Sequence, residues 1–166
     1  MRYELMDYQR EGAVLVVDRL RLGRDLWASS KMPSSFALSA ITGAGKTVIA
    51  AAVIEALLHG SSDLGAEADP KATFLWITDD PALNRQTRSK MLDASDVLLP
   101  NALIEVDEGF LEQQLAPKRC YFLNTQKLSK ASHLVQSGTD SRQLSFWELL
   151  ANTINGGGAN LYLRKL

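Results

Sequence analysis

The residues best suited to chemistry lie in one run, Ala40-Ile41-Thr42-Gly43-Ala44-Gly45-Lys46-Thr47. Gly43 and Gly45 let the backbone turn tightly enough for successive N–H groups to face one concavity, which makes a seat for an anion. A helix beginning near Lys46 would aim its positive dipole end at the same point. Lys46 adds a point charge that reaches the outer phosphates of ATP, and the Thr47 hydroxyl is an oxygen ligand for Mg²⁺. Thr42, Gly43, Ala44, Gly45, Lys46 and Thr47 therefore form the candidate ATP-binding set. Lys46 and Thr47 are the candidate catalytic pair, and Thr47 is the candidate metal ligand. The run departs from the usual P-loop pattern at its first position, where Ala40 stands in place of Gly. The bland alternative is a chance Gly-rich turn.

The usual context of such a loop is a strand before it and a helix after it. Residues 36–40 are apolar and end at the glycines, as a buried strand would. Residues 46–59, rich in Ala, Val, Ile and Leu, predict a helix with Gly60 as its C-cap. Upstream, residues 6–22 predict a helix, with Asp7 as N-cap and Val14, Val17 and Leu20 at helical spacing. Residues 24–35, rich in Ser and carrying Pro33, read as a loop.

Downstream, residues 73–78 are a run of β-formers that predicts a strand buried on both faces. Pro81 opens a helix to about residue 93. Residues 103–106 and 120–124 predict strands, and 110–115 a short helix. Residues 144–154 predict a helix whose apolar side is Phe146, Trp147, Leu149 and Leu150. Gly156-Gly157-Gly158 reads as a turn, and residues 161–163 open a further strand. Strands alternating with helices predict an α/β fold, with a mostly parallel sheet flanked by helices.

The chain has 166 residues, enough for one domain with a real core. An apolar content of 46% and a charged content of 22% are those of a soluble globular protein. The net charge of −1 gives no basic field over the whole molecule, though a local groove can still hold a phosphate backbone. A single cysteine, Cys120, permits no intramolecular disulfide and points to a reducing cytoplasm. Cys120 itself reads as a buried small hydrophobe. The N-terminus has no apolar run of signal-peptide length, and residues 48–58, interrupted by Glu55, are too short to span a bilayer, so no membrane association is expected. His59 and His133 stand alone and suggest no metal site. Trp76 and Trp147 read as core, and Tyr3 and Tyr8 as helix packing, with stacking on adenine as the alternative for the two tyrosines.

Three further segments carry a family resemblance. Asp7-Tyr8-Gln9-Arg10-Glu11, upstream of the P-loop, resembles the Q motif of superfamily 2 helicases and translocases. The resemblance implies that the Gln9 amide, a donor and an acceptor at once, reads the adenine edge. Trp76-Ile77-Thr78-Asp79-Asp80-Pro81-Ala82-Leu83-Asn84-Arg85-Gln86 resembles motif Ia, where a helix start touches the nucleic-acid backbone. Asp79-Asp80 departs from the small polar residues usual there and would repel phosphate. Arg85, Arg88 and Lys90 are the alternative contacts, with a solvated helix face as their bland reading.

Tyr121-Phe122-Leu123-Asn124-Thr125-Gln126-Lys127-Leu128 resembles the motif Ib region, especially in the branch of the helicase (Res) subunit of type III restriction enzymes. The resemblance implies that Asn124, Thr125 and Gln126 meet backbone phosphates and sugars at the carboxyl edge of a sheet. Together the segments resemble the first part of a RecA-like motor domain of the DEAD/DEAH-box superfamily. They imply that residues 1–166 are an incomplete N-terminal RecA-like, helicase ATP-binding domain. The implied ligands are ATP, Mg²⁺ and DNA, and the implied associates are a methyltransferase or nuclease subunit of a restriction system.

That superfamily places an Asp-Glu pair after an apolar strand to hold Mg²⁺ and position water. Asp107-Glu108 has the right ending but precedes the Ib-like segment, the wrong order, and Glu105 would be buried within its strand. Residues 147–163 resemble the stretch leading into the Asp-Glu-Ala-His box, yet Arg164-Lys165-Leu166 follows. The chain thus reads as cut off before its Walker B acids, and is expected to bind nucleotide but hydrolyse it poorly alone. The competing readings are a non-catalytic nucleotide-binding remnant and a small P-loop phosphotransferase. The second predicts an Arg-rich lid that the sequence does not offer.

Overall fold

The computed structural model describes residues 1–129, 132–136 and 143–165, with Arg164 and Lys165 described by backbone alone. The elements in chain order are α1 (Asp7–Ser30), α2 (Lys46–His59), β1 (Ala72–Thr78), α3 (Pro81–Ala94), β2 (Leu103–Glu105), β3 (Arg119–Asn124), α4 (Phe146–Asn155) and β4 (Asn160–Lys165). The expected α/β class is found. The four strands form one all-parallel sheet in the order β2-β3-β1-β4. The chain divides into two compact units, Met1–Asp69 with Lys90–Leu98, and Pro70–Ser89 with Leu99–Leu166.

In the first unit α1 is longer than its sequence pattern predicts. Residues 24–30, expected as loop, continue the helix. Ser29 and Ser30 donate their hydroxyls back to the Asp25 and Leu26 carbonyls, so polar side chains that favour loops are absorbed by the helix itself. The helix stops at Lys31, which adopts the left-handed conformation at φ 57°, two residues before Pro33. At the other end Met6, not Asp7, is the N-cap. Its N–H is taken by Gln9 Oε1 at 3.1 Å, so the glutamine three residues on does the capping work assigned to Asp7.

Ala13 and Val17 are the buried positions of α1, while Leu15 and Leu22 are exposed. Tyr3 and Tyr8, expected to pack on the helix, are exposed as well. The α2 helix is apolar nearly all round, and eight of its residues, from Ile49 to Leu58, are buried. Glu55, its single acid, is held by the Met1 amine at 2.6 Å and the Ser95 hydroxyl at 2.5 Å. Gly60, at φ 85°, ends the helix as expected.

Residues 36–40 do not form the expected strand. They have no ladder partner among the described residues, and Phe36 and Leu38 are 43% and 40% exposed. Strand formation depends on a neighbouring backbone, and a five-residue run that includes two alanines and a serine has little extended preference of its own.

In the second unit β1 lies between β3 and β4, with Thr78 opposite Asn124 and Leu75 opposite both Tyr121 and Leu163. One face of the sheet contributes Leu75, Tyr121 and Leu123 to a core closed by Phe146 and Leu149 of α4, with Val106, Leu115 and Leu134. The other face carries Phe74, Trp76, Phe122 and Tyr162, with Phe74 stacked on Tyr162 at 5.2 Å between ring centroids. Trp76 and Cys120 are buried as expected. Trp147, expected in the apolar side of α4, is 51% exposed, because Phe146 and Leu149 already fill the inward positions of that short helix.

Residues 110–115, expected as a helix, have no regular structure. Two of their backbone groups are bound by α4 instead: Leu115 N–H donates to the Thr153 hydroxyl and Asn152 Nδ2 donates to the Gln113 carbonyl. Glu105, expected to be buried, is exposed because β2 is an edge strand.

Candidate functional site

The sequence singles out two sets of residues, and each lies within one unit. In the first unit the loop before α2 turns through Gly43 at φ 86° and Gly45 at φ 77°, both in the left-handed region that favours glycine. Ala44 N–H donates to the Ile41 carbonyl at 3.2 Å, which closes the turn. Gly45 is the N-cap of α2 and supplies no side chain, so no side-chain acceptor caps the first-turn amides. Thr42 and Gly43 are exposed, Ile41 is 82% exposed, and Thr47 is half-buried at the start of the helix.

Lys46 folds back over the loop. Its Nζ donates to the Ala40 carbonyl at 2.6 Å and the Ile41 carbonyl at 3.0 Å. Two of three ammonium hydrogens are thereby used within the loop, and one remains for another acceptor. These contacts pin the two residues before the turn to the first residue of α2.

Gln9 reaches the same loop from α1. Its Nε2 donates to the Ala44 carbonyl and to Tyr8 Oη, each at 3.3 Å, while Oε1 accepts from Met6 N–H. A Cβ on residue 45 would overlap Gln9 Nε2. Gln9 is therefore a clasp between the start of α1 and the loop. Both amide hydrogens are committed, but one Oε1 lone pair is left for a further donor.

In the second unit the carboxyl edge of the sheet carries the other set. Thr78 Oγ1 lies 2.9 Å from both the Asp80 carbonyl and Asn84 Oδ1. Asp80 Oδ1 accepts from Ala82 N–H at 2.8 Å, in the first turn of α3. Asn124, 3% exposed, accepts the Gln126 N–H on its Oδ1 at 2.8 Å, and its buried Nδ2 has no partner among the described residues. Thr125 Oγ1 donates to Asp79 Oδ1 at 2.7 Å, and Gln126 Nε2 donates to the Asp79 carbonyl at 3.3 Å. Asn124, Thr125 and Gln126 are thus brought against the loop that follows β1.

Arg85 is exposed on α3 and makes no ion pair among the described residues. Arg88, its alternative, is a structural residue: Nε donates to the Leu103 carbonyl at 2.7 Å and a terminal nitrogen to the Pro100 carbonyl at 3.3 Å. Lys90 is exposed. Lys127, which sequence reasoning passed over, ties the turn after β3 to the Val106 carbonyl at 3.1 Å. Asp79 was legible only as a repulsive charge. Its pairing with Thr125 spans 46 positions and leaves no local signal.

Asp107 and Glu108 follow the edge strand β2 and are exposed. Asp107 Oδ1 accepts from Gly109 N–H at 2.9 Å, a local turn. Residues 147–163, read as leading to an acid box, form most of α4, a turn and most of β4, and Leu166, which follows them, lies outside the described residues. Among the described residues no His, Cys, Asp and Glu grouping could hold a metal, and no helix is long and apolar enough to cross a membrane.

The family model described as type III restriction enzyme, res subunit, matches residues 2–149. No curated protein and no solved structure matches the chain.

Proposed function

We propose that this chain, which belongs to the type III restriction enzyme res subunit family, is the ATP-binding portion of a nucleic-acid-dependent ATPase, a DNA helicase or translocase of restriction type. One observation carries the reading. Two left-handed glycines bracket Ala44 at the uncapped N-terminus of α2, with Lys46 and Thr47 as its first two residues. On this reading residues 1–166 belong to an N-terminal RecA-like domain working in the cytoplasm, and a methyltransferase or nuclease subunit is its associate.

The donor set fits MgATP. The first-turn amides of α2 lack a capping side chain, a Cβ at Gly43 would meet only open space, and Lys46 keeps one hydrogen. Thr42, Gly43, Ala44, Gly45 and Lys46 would cradle the phosphates, and the Thr47 hydroxyl would ligand Mg²⁺. Gln9 would accept from the adenine amine on its remaining Oε1 lone pair. Bound Mg²⁺ would neutralise charge on the β- and γ-phosphates. Asn124, Thr125, Gln126 and Arg85 would meet the DNA backbone, where hydroxyl, amide and guanidinium groups suit phosphate without reading sequence.

Hydrolysis by this chain alone is expected to be poor. Asp107 and Glu108 are exposed beyond an edge strand, and Asp107 is engaged in its own turn. The same observation favours the second reading, a nucleotide-binding remnant without catalysis. The test is titration of a fluorescent ATP analogue with Mg²⁺, followed by a phosphate-release assay with and without single-stranded DNA. Binding that Lys46→Ala weakens by about 10-fold or more, one lost charge-assisted contact, is the expected result. Binding indifferent to Lys46→Ala would remove the ATP reading. Robust DNA-stimulated turnover would promote Asp107 and Glu108 to the catalytic acids.

A further inference from the structure

We propose that the Asp79 carboxylate is an internal occupant of the backbone-phosphate seat at the carboxyl edge of the sheet, and so sets how tightly that edge holds a nucleic-acid strand. The inference rests on the reading of Thr125 and Gln126 as backbone contacts. The Thr125 hydroxyl has one hydrogen, and it is donated to Asp79 Oδ1 at 2.7 Å, a short distance appropriate to a charged acceptor. Gln126 spends one of its two amide hydrogens on the Asp79 carbonyl. Asp80 does the same to the helix: its carboxylate holds Ala82 N–H in the first turn of α3. Two donors that would hold a phosphate, a hydroxyl and a helix-start amide, are therefore already satisfied by acids of the same loop.

The edge also keeps donor capacity that these acids do not use. Asn124 fixes the Gln126 N–H with its oxygen and leaves a buried Nδ2 without an acceptor among the described residues. A phosphodiester arriving at Thr125 must replace Asp79 as the acceptor and settle beside a displaced carboxylate of like charge. The swap exchanges one anionic acceptor for another, so the donor loses little, and the cost is the repulsion between Asp79 and the phosphate. Asp79 is a positioning residue in this scheme. It holds Thr125 and Gln126 in place when no strand is bound, and it weakens the grip when one is. A grip weakened by a local charge releases readily, which suits a strand that must pass from one contact to the next.

The test is fluorescence anisotropy with a labelled single-stranded oligonucleotide and the full chain, over a range of salt. Asp79→Asn keeps an oxygen acceptor for Thr125 and removes the charge. It should bind about 5-fold more tightly at low salt, the scale of one exposed charge contact, with the gain shrinking as salt rises. Adding Thr125→Val should erase most of that gain, which a general change in net charge would not do. Asp79→Ser, a smaller neutral acceptor, should shift affinity in the same direction and serves if Asp79→Asn fails to fold. If the parent binds and neither neutral variant binds more tightly, or if the gain survives Thr125→Val, the latch is overturned while the nucleic-acid reading stands. If neither the parent nor any variant binds, both are overturned.

Discussion

Gln9 and Gly45 are fitted to each other. A Cβ on residue 45 would overlap Gln9 Nε2, the nitrogen that donates to the Ala44 carbonyl at 3.3 Å, and Gly45 also holds φ 77°. The glycine is thus required twice, once by its backbone angle and once by a side chain from another helix. Gly45→Ala should lower stability by about 1–2 kcal/mol from the left-handed conformation alone, with a further loss from the overlap. Adding Gln9→Ala should recover the second part and leave the first, which thermal melts of the two single variants and the double variant would separate.

Thr78 and Asn84 form a buried hydrogen bond of 2.9 Å that joins the end of β1 to the first turns of α3. Thr78→Val keeps the shape and removes the donor, leaving Asn84 Oδ1 unpaired at a buried position. The expected loss is about 1–3 kcal/mol in chemical denaturation, the cost of stranding a buried acceptor. A value near zero would mean that the Asp80 carbonyl, not Asn84, receives the hydroxyl hydrogen.

Ser145 caps α4. Its hydroxyl accepts from Glu148 N–H, and Glu148 returns a carboxylate to the Ser145 N–H at 2.7 Å. Ser145→Ala should cost about 1 kcal/mol. Because Phe146 and Leu149 of this helix sit in the sheet core, the loss should appear in the global melt and not as local fraying alone.

Tyr121 contributes to the loss of stability at alkaline pH. Burial pushes its pKa above the ordinary value of 10.0, and the Ala116 N–H donated to its oxygen offsets this in part. The folded state therefore holds the phenol proton more firmly than the unfolded state does. That contribution is complete below pH 10.0, the unfolded value, and falls away as pH rises through the raised folded value. Tyr121→Phe should melt at a lower temperature near neutrality, since Ala116 N–H loses its acceptor, yet decline less steeply above about pH 10. Equal slopes for the two proteins in a pH series of melts would refute the assignment.

The sequence by itself determined the elements whose signals are local. The glycines, Lys46 and the apolar run behind them specify a turn and a helix, because φ freedom and helix propensity belong to the residues themselves. The β-former runs at 73–78 and 120–124 likewise specify buried strands, and Pro81 the start of α3. Tertiary structure decided what depends on a partner. Residues 36–40 are irregular and mostly exposed because no ladder among the described residues receives them. Residues 110–115 are irregular, and Thr153 and Asn152 bind the Leu115 N–H and the Gln113 carbonyl in place of helical partners. Asp79, which from sequence is only a charge hostile to phosphate, becomes the acceptor that holds Thr125. Periodicity and propensity act over a few residues, whereas a hydrogen bond between residues 46 positions apart exists only once the chain has brought two strand ends side by side.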